Sequence, residues 1–385
     1  MGSVNGTDGR SGTGLSGLPL LALTMGDPAG VGPELLTMAV QPGSGVIGCL
    51  PLLIGNPAIL NRAAQLHNIP LLPELLECGE VSAIEFRHRV EAIAAAGRIA
   101  CCDPTRAETV AVVPGVIGAA GGDAAFRCLK LAAELALSGH VDAIVTAPLN
   151  KEALHLAGHH YPGHTEILAE RCGVNEFAMM LHLPEAALGP LRRLLLNRPE
   201  DDHSPDASGL SIAHVTLHTS IASVPGLLTP DAVAATVRLM HEFLGSIRCQ
   251  RRSIAVCALN PHGGEHGLFG DEESRVINRG IALVQDLCTV CGPLPADTAI
   301  RRAVLGEFDG IVAMYHDQGH IPVKLIGFDA AINITLGLPI IRTSPTHGTA
   351  FDIAWKLPSR VNPAGFLGAM EMACRMVRGA FEFRL

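Results

Sequence analysis

Three histidines and a group of cationic and amide donors carry the chemistry open to this sequence. His218, His262 and His316 each follow an apolar run and stand at or just past a predicted strand end. Singly, such a histidine is more often a hydrogen-bonded core residue than a ligand. As a set of three in one α/β chain they suit a divalent cation with positions left open for substrate, the pattern of catalytic rather than structural metal sites. Imidazole ligation favours zinc, cobalt or nickel over magnesium. Residues 315–342, YHDQGHIPVKLIGFDAAINITLGLPIIR, add Asp317, Lys324, Asn333 and Arg342 within an apolar frame. Charged groups in such a frame need partners or ligands, and convergent polar groups in an apolar setting mark binding sites. Arg342 can fork onto a carboxylate or phosphate. A cation beside these donors suits a substrate with a hydroxyl and acidic groups. It polarises the hydroxyl and stabilises the carbonyl that forms as hydride leaves, and a nicotinamide is the natural hydride acceptor.

Other stretches can bind ligands by local chemistry. Gly163-His164-Thr165-Glu166 opens the predicted helix ILAERCG. Its side chains and free N–H groups stand where an anion meets a helix N-terminus; capping by Thr165, with surface histidines nearby, is the alternative. The segment GDPAGVGPE, residues 26–34, links a strand to a helix but matches neither the dinucleotide nor the P-loop pattern. A ligand cradle and a tight turn with proline at the helix start both remain open there. HGGEH, residues 262–266, fits H-x-x-E-H. That pattern grips a metal only on a helix, and Pro261 with two internal glycines predicts a loop carrying His262 as a single ligand. Cys288 and Cys291 have the spacing of a redox or metal pair, but no second pair answers them, so small apolar residues at a helix end is the plainer reading.

The elements that must position these groups follow from the hydrophobic pattern. A chain of 385 residues, 48% hydrophobic, accommodates two domains and a large core. Net charge is −9, basic residues occur at most in adjacent pairs, and aromatics are 4%, which excludes a nucleic-acid-binding face. Mean hydropathy is +0.32, yet no apolar window reaches membrane-span length. The first apolar run, LPLLAL, lacks a basic flank and reads as a buried strand rather than a signal peptide. Eleven cysteines, an odd number, without a secretion signal fit free thiols in the cytoplasm. Residues 1–17 read as a flexible leader. Buried strands are predicted at 20–24, 50–54, 142–148, 211–218 and 253–260, and helices at 57–67, 84–95, 121–137, 229–244, 271–287 and 363–380. On the 211–218 strand His214, Thr216 and His218 would share a face. Within 315–342 the polar residues would fall at strand ends and on the loop between, and 188–209 reads as an exposed insertion. Residues 292–298 read as a rigid connector, with Asp297 able to cap the next helix. The fold class is α/β, with alternating strands and helices.

In order along nearly the whole chain from Leu20, the segments TMGDPAGVGPE, VTAPLNKEAL, YPGHTE, LNPHGGEHGLFGDEE, GPLPADT, MYHDQGHIPVK and NITLGLPIIRTSPTHGTAFDIA resemble the 4-hydroxythreonine-4-phosphate dehydrogenase family of the pyridoxal phosphate pathway. The resemblance implies an isocitrate/isopropylmalate-dehydrogenase-like fold, with two α/β domains flanking a central cleft. Residues 18–160 with 345–385 would form the first domain and 161–344 the second. It implies a homodimer whose partner completes the site, and NAD with a divalent metal (zinc, cobalt or magnesium) as cofactors. The reaction implied is oxidation of the 3-hydroxyl of a four-carbon 4-phosphorylated acid, followed by decarboxylation of the β-keto acid. Carried over by motif, His218, His262 and His316 would hold the metal. His164, Thr165, Lys324, Asn333 and Arg342 would bind substrate, His347 and Asp352 would stand on the NAD side, and Lys324 and Asp317 would be catalytic, Asp317 behind the metal or as a proton relay. Asn150 replaces a histidine usual in the family, and Asp329-Ala330-Ala331 replaces an arginine-containing run. His320 and the TAPLNKEAL wording are similar to the branch acting on 4-phospho-D-threonate or 4-phospho-D-erythronate. The related dehydrogenases of aromatic cis-dihydrodiol carboxylates are the alternative substrate class, and a metal-dependent hydrolase is the alternative reaction class.

Overall fold

The computed structural model describes residues 15–41, 43, 48–79, 81–196 and 209–383. Most of the expected leader and the 197–208 part of the expected insertion lie outside the described residues. Among the described residues twelve strands form one sheet: β1 (Leu20–Thr24), β2 (Leu50–Ile54), β3 (Pro73–Leu75), β4 (Ile99–Cys102), β5 (Ala143–Thr146), β6 (Ala178–Leu183), β7 (Leu210–His214), β8 (Ile254–Cys257), β9 (Val290–Leu294), β10 (Gly310–Ala313), β11 (Ile332–Leu336) and β12 (Ile341–Pro345). Their spatial order is β3-β4-β2-β1-β5-β12-β11-β6-β7-β10-β8-β9. The run from β3 to β12 is parallel, as is the run from β7 to β9. The two are joined through β11 and β6, where every pairing is antiparallel. This is a large mixed α/β sheet, and its parallel runs, covered by helices, explain the continuous apolar strands in the sequence.

Strand β1 is wholly buried, and its neighbours β2 and β5 pair with it in register along its length. The helix Ala119–Leu137 packs Phe126, Leu129 and Ala133 into the same core. Thr229 caps the helix Pro230–Ser246, its hydroxyl accepting from the Ala232 amide, and Pro230 takes the first position. Among the described residues no helix is long and apolar enough to cross a membrane.

Five expectations need correction. Residues 316–327 form a helix, His316–Gly327, with Pro322 inside it, rather than a loop between strands. The strand before His218 stops at His214, so His218 lies on the following loop and does not share a strand face with His214. Residues 185–196 form a helix containing Pro190. The connector 292–298 contains the end of β9, and the cap position of the next helix is Pro295, not Asp297. Cys78 and Cys102 are joined in a disulfide across the β3–β4 edge, so not every thiol is free. Cys288 and Cys291 are free and unjoined.

Candidate active site

The first half of the site is built on the ends of β5, β11 and β12. Arg342 is 2% exposed. Its Nε and Nη2 donate to Thr146 Oγ1 at 3.2 and 2.8 Å, and Nη1 donates to Thr335 Oγ1 at 3.1 Å. No carboxylate among the described residues pairs with it. Burial pulls its pKa down to about 10, with Glu166 opposing, so it is a charged guanidinium at neutral pH. His164 opens the helix His164–Cys172, whose cap position is Gly163 in extended backbone; Thr165 does not cap it. His164 Nε2 donates to the Ala147 carbonyl at 3.2 Å, which leaves Nδ1 as an acceptor. Burial, then the charges of Arg342 and Lys151, hold the ring well below the usual histidine range, so it is neutral. Asn333, on β11, has a buried Oδ1 without a hydrogen-bond partner, a ready acceptor for a substrate hydroxyl.

The second half gathers imidazoles. His218 and His316 line a cleft of about 500 Å³ with Tyr315, Asp317 and Ile221. Their ring centroids are 6.1 Å apart. Two imidazoles on one tetrahedral ion, at about 2.1 Å from metal to nitrogen, place their centroids roughly 5 Å apart, so this pair fits two positions after a small side-chain adjustment. His316 Nδ1 donates to Asp317 Oδ1 at 2.7 Å, which frees Nε2 as a ligand in the arrangement typical of metal-bound histidines. Burial, then Lys151, draws the His218 pKa down, against the pull of Glu166, and favours the neutral form a metal needs. Behind them, His214 Nδ1 donates to the Met179 carbonyl, so its Nε2 accepts from His320 Nδ1 at 3.2 Å. The His320 ring in turn stacks on His316 at 3.6 Å. Gly319 makes room: a Cβ there would stand 2.3 Å from His214 Nε2.

The third expected ligand does not join the pair within this chain. His262 is exposed on the loop after β8, where residues 262–266 all have positive φ. This left-handed turn confirms the rejection of a helical H-x-x-E-H site. Its ring neighbours Phe269, and among the described residues no three His, Cys, Asp or Glu side chains form a group able to hold a metal.

Lys324 is exposed on the helix His316–Gly327, and its charge reaches His320. On the expected cofactor side, His347 Nε2 is buried without a partner, while Asp352 is exposed. Their loop packs on the GDPAG turn through Val31 N to Thr349 O and through Trp355 N to Glu34. Asn150 caps the helix Lys151–Leu156, its side-chain oxygen accepting from Ala153 N. The sequence reading assigned no role to Lys151 and Glu166, whose charges bear on His164, His218 and Arg342, nor to Thr146 and Thr335. The signal was present in VTAPLNKEAL, GHTE and NITLG; what was missing was that these segments meet.

This geometry sits in a chain with extensive likeness to known proteins. Residues 48–373 match the family described as pyridoxal phosphate biosynthetic protein PdxA. The chain is 43% identical over 356 residues to the D-threonate 4-phosphate dehydrogenase of Salmonella typhimurium, covering 92% of this chain and 98% of the relative. It is 38% identical to the enzyme of that name from Pectobacterium atrosepticum, covering 93% and 99%. The crystal structure of 4-hydroxythreonine-4-phosphate dehydrogenase from Klebsiella pneumoniae superposes with a TM-score of 0.73 at 36% identity, covering 93% of this chain and 99% of that one. With both sequence and fold shared over nearly its whole length, the chain belongs to the PdxA family of pyridoxal phosphate biosynthetic proteins.

Proposed function

We propose that this protein is an NAD- and divalent-metal-dependent dehydrogenase. It oxidises the 3-hydroxyl of a 4-phosphorylated four-carbon acid, of the 4-phospho-D-threonate or 4-hydroxy-L-threonine 4-phosphate type, and the β-keto acid then decarboxylates. The observation that carries this reading is the buried Arg342, paired with no carboxylate among the described residues, in the same electrostatic neighbourhood as His164 and the His218–His316 pair. A guanidinium so placed takes an anion. The dehydrogenase names of the relatives agree with it.

In this reading Arg342, with Lys324 and Thr165, orients the anionic substrate. Asn333 Oδ1 and His164 Nδ1 accept from its hydroxyl or amino groups. His218, His316 and His262 would hold the cation, with Asp317 fixing the His316 ring, and His347 and Asp352 would contact NAD. When bound, the cation supplies charge that polarises the hydroxyl oxygen, and NAD supplies the hydride acceptor. The exposed Lys324 suits a proton-transfer role.

The fold reading belongs to the same proposal: an isocitrate/isopropylmalate-dehydrogenase-like pair of domains, 18–160 with 345–385 and 161–344, either side of the cleft. So does a homodimer with a shared site. The loop carrying His262 exposes Leu268 and Phe269, and the helix carrying His316 exposes Ile321, Leu325 and Phe328. Apolar side chains in these two places suit cover by a second copy, which would bring its own His262 to the His218–His316 pair.

The test is NADH formation with 4-phospho-D-threonate, 4-hydroxy-L-threonine 4-phosphate and a cis-dihydrodiol carboxylate, each with zinc, cobalt or magnesium. Turnover of a phosphorylated acid supports the proposal. Turnover of the phosphate-free diol alone, or product formed without NAD, contradicts it.

A further inference from the structure

We infer that Thr146 and Thr335 are positioning residues that dictate the edge by which Arg342 takes the substrate's anionic group. The inference rests on the reading of Arg342 as a substrate contact. Parallel pairing of β12 with β5 sets Arg342 opposite Ile144. Thr146, two residues on, therefore points to the same face and lies beside the guanidinium. Thr335 follows Ile334, which pairs with Thr343 on the other flank of β12. The Arg342 side chain is thus held between two neighbouring strands.

The donor count gives the direction. A guanidinium has five N–H groups. Nε and Nη2 both donate to the single oxygen of Thr146, which closes the Nε–Nη2 edge. Nη1 gives one N–H to Thr335. The two left, one on each Nη, leave the terminal Nη1–Nη2 edge for a ligand with two oxygens on one centre, a carboxylate or a phosphate. Hydroxyl partners suit this task where carboxylates would not. They satisfy N–H groups without neutralising the charge, so the cation stays available for an incoming anion. With the side edge closed, only one bidentate approach remains, and it fixes where the rest of the substrate lies relative to the imidazoles.

Thr146→Val keeps the shape and the strand preference while deleting both contacts on that edge. The expected result is a rise of about tenfold or more in KM for the phosphorylated acid with a smaller change in kcat, and a matching loss in calorimetric affinity. Thr146→Ser, which keeps the oxygen, should restore both to near the parent values. Thr335→Val, losing one contact, should raise KM by less. Arg342→Ala serves as the reference. If Arg342→Ala leaves KM unchanged, Arg342 is no substrate contact and the inference falls with that reading. If Arg342→Ala raises KM but Thr146→Val does not, the inference alone is overturned. Should Thr146→Val fail to fold, Thr335→Val and Thr146→Ser decide: a raised KM in the first with near-parent behaviour in the second supports the inference, and an unchanged KM in Thr335→Val overturns it.

Discussion

The two halves of the site are built differently. Around Arg342 the chain completes its own work: the guanidinium is buried, its donors are directed, and His164 is locked in one tautomer by the Ala147 carbonyl. Around His218 and His316 the work is half done. Those rings face an open cleft, and the third expected histidine stands exposed on another loop. An anion hole can be preorganised by one strand framework, because sheet hydrogen bonds fix it. A cation site can instead draw a ligand from a separate surface. The difference predicts that the halves fail independently.

The largest effect should come from the open half. His218→Ala should lower kcat by at least about a thousandfold and reduce bound metal, because an open three-ligand site tolerates no missing imidazole. The same variant should bind the phosphorylated acid nearly as well as the parent does, since Arg342 and its threonines are untouched. Metal analysis with calorimetry checks both; a parallel loss of substrate affinity would mean the halves are one unit.

The closed half carries a pH-dependent destabilisation of its own. Asp27 is wholly buried under the segment that presents Ala147, its Oδ2 has no partner, and burial raises its pKa from 3.8 to about 6. Between those values the folded chain keeps a proton that the unfolded chain has lost. Stability therefore falls as pH rises from 4 to 6 and levels off above. Asn cannot ionise, so the advantage of Asp27→Asn over the parent should grow from near zero below pH 4 to roughly 3 kcal/mol above pH 6. Denaturant unfolding at pH 4 and pH 8 measures it. An advantage that does not change with pH would show that Asp27 is not the titrating group.

How much of this was legible in the sequence also divides along the halves. Continuous apolar runs placed β1 and β2 residue for residue, and the helix Ala119–Leu137 to within two. Arg342 and Asn333 stood out because polar residues in an apolar strand need a reason. The glycines and proline of PHGGEH correctly argued against a helix. The apolar frame misled at 316–327, where polar residues between two strand-like runs read as a loop but form a helix. There packing overrides propensity: Gly319 is required by the close approach of His214, and the helix is held against β6 and β7. His218 was misplaced because the alternation continues past the point where strand pairing ends. Lys151 and Glu166 were silent because each is an ordinary helical charge until the fold brings its field onto His218. Whether His262 meets the other histidines lies beyond any single-chain pattern.

On the proposed reading, the imidazole site is finished by a second copy of this chain. Mixing unfolded His218→Ala and His262→Ala chains and refolding them together tests it most directly. If each site takes His218 from one subunit and His262 from the other, half of the mixed population is heterodimer, and each heterodimer holds one intact site. Roughly a quarter of the parent NADH-forming activity should return, although each variant alone is inactive. If the variants are folded and dimeric but the mixture regains nothing, His262 serves its own chain's site or none, and the shared-site account is contradicted.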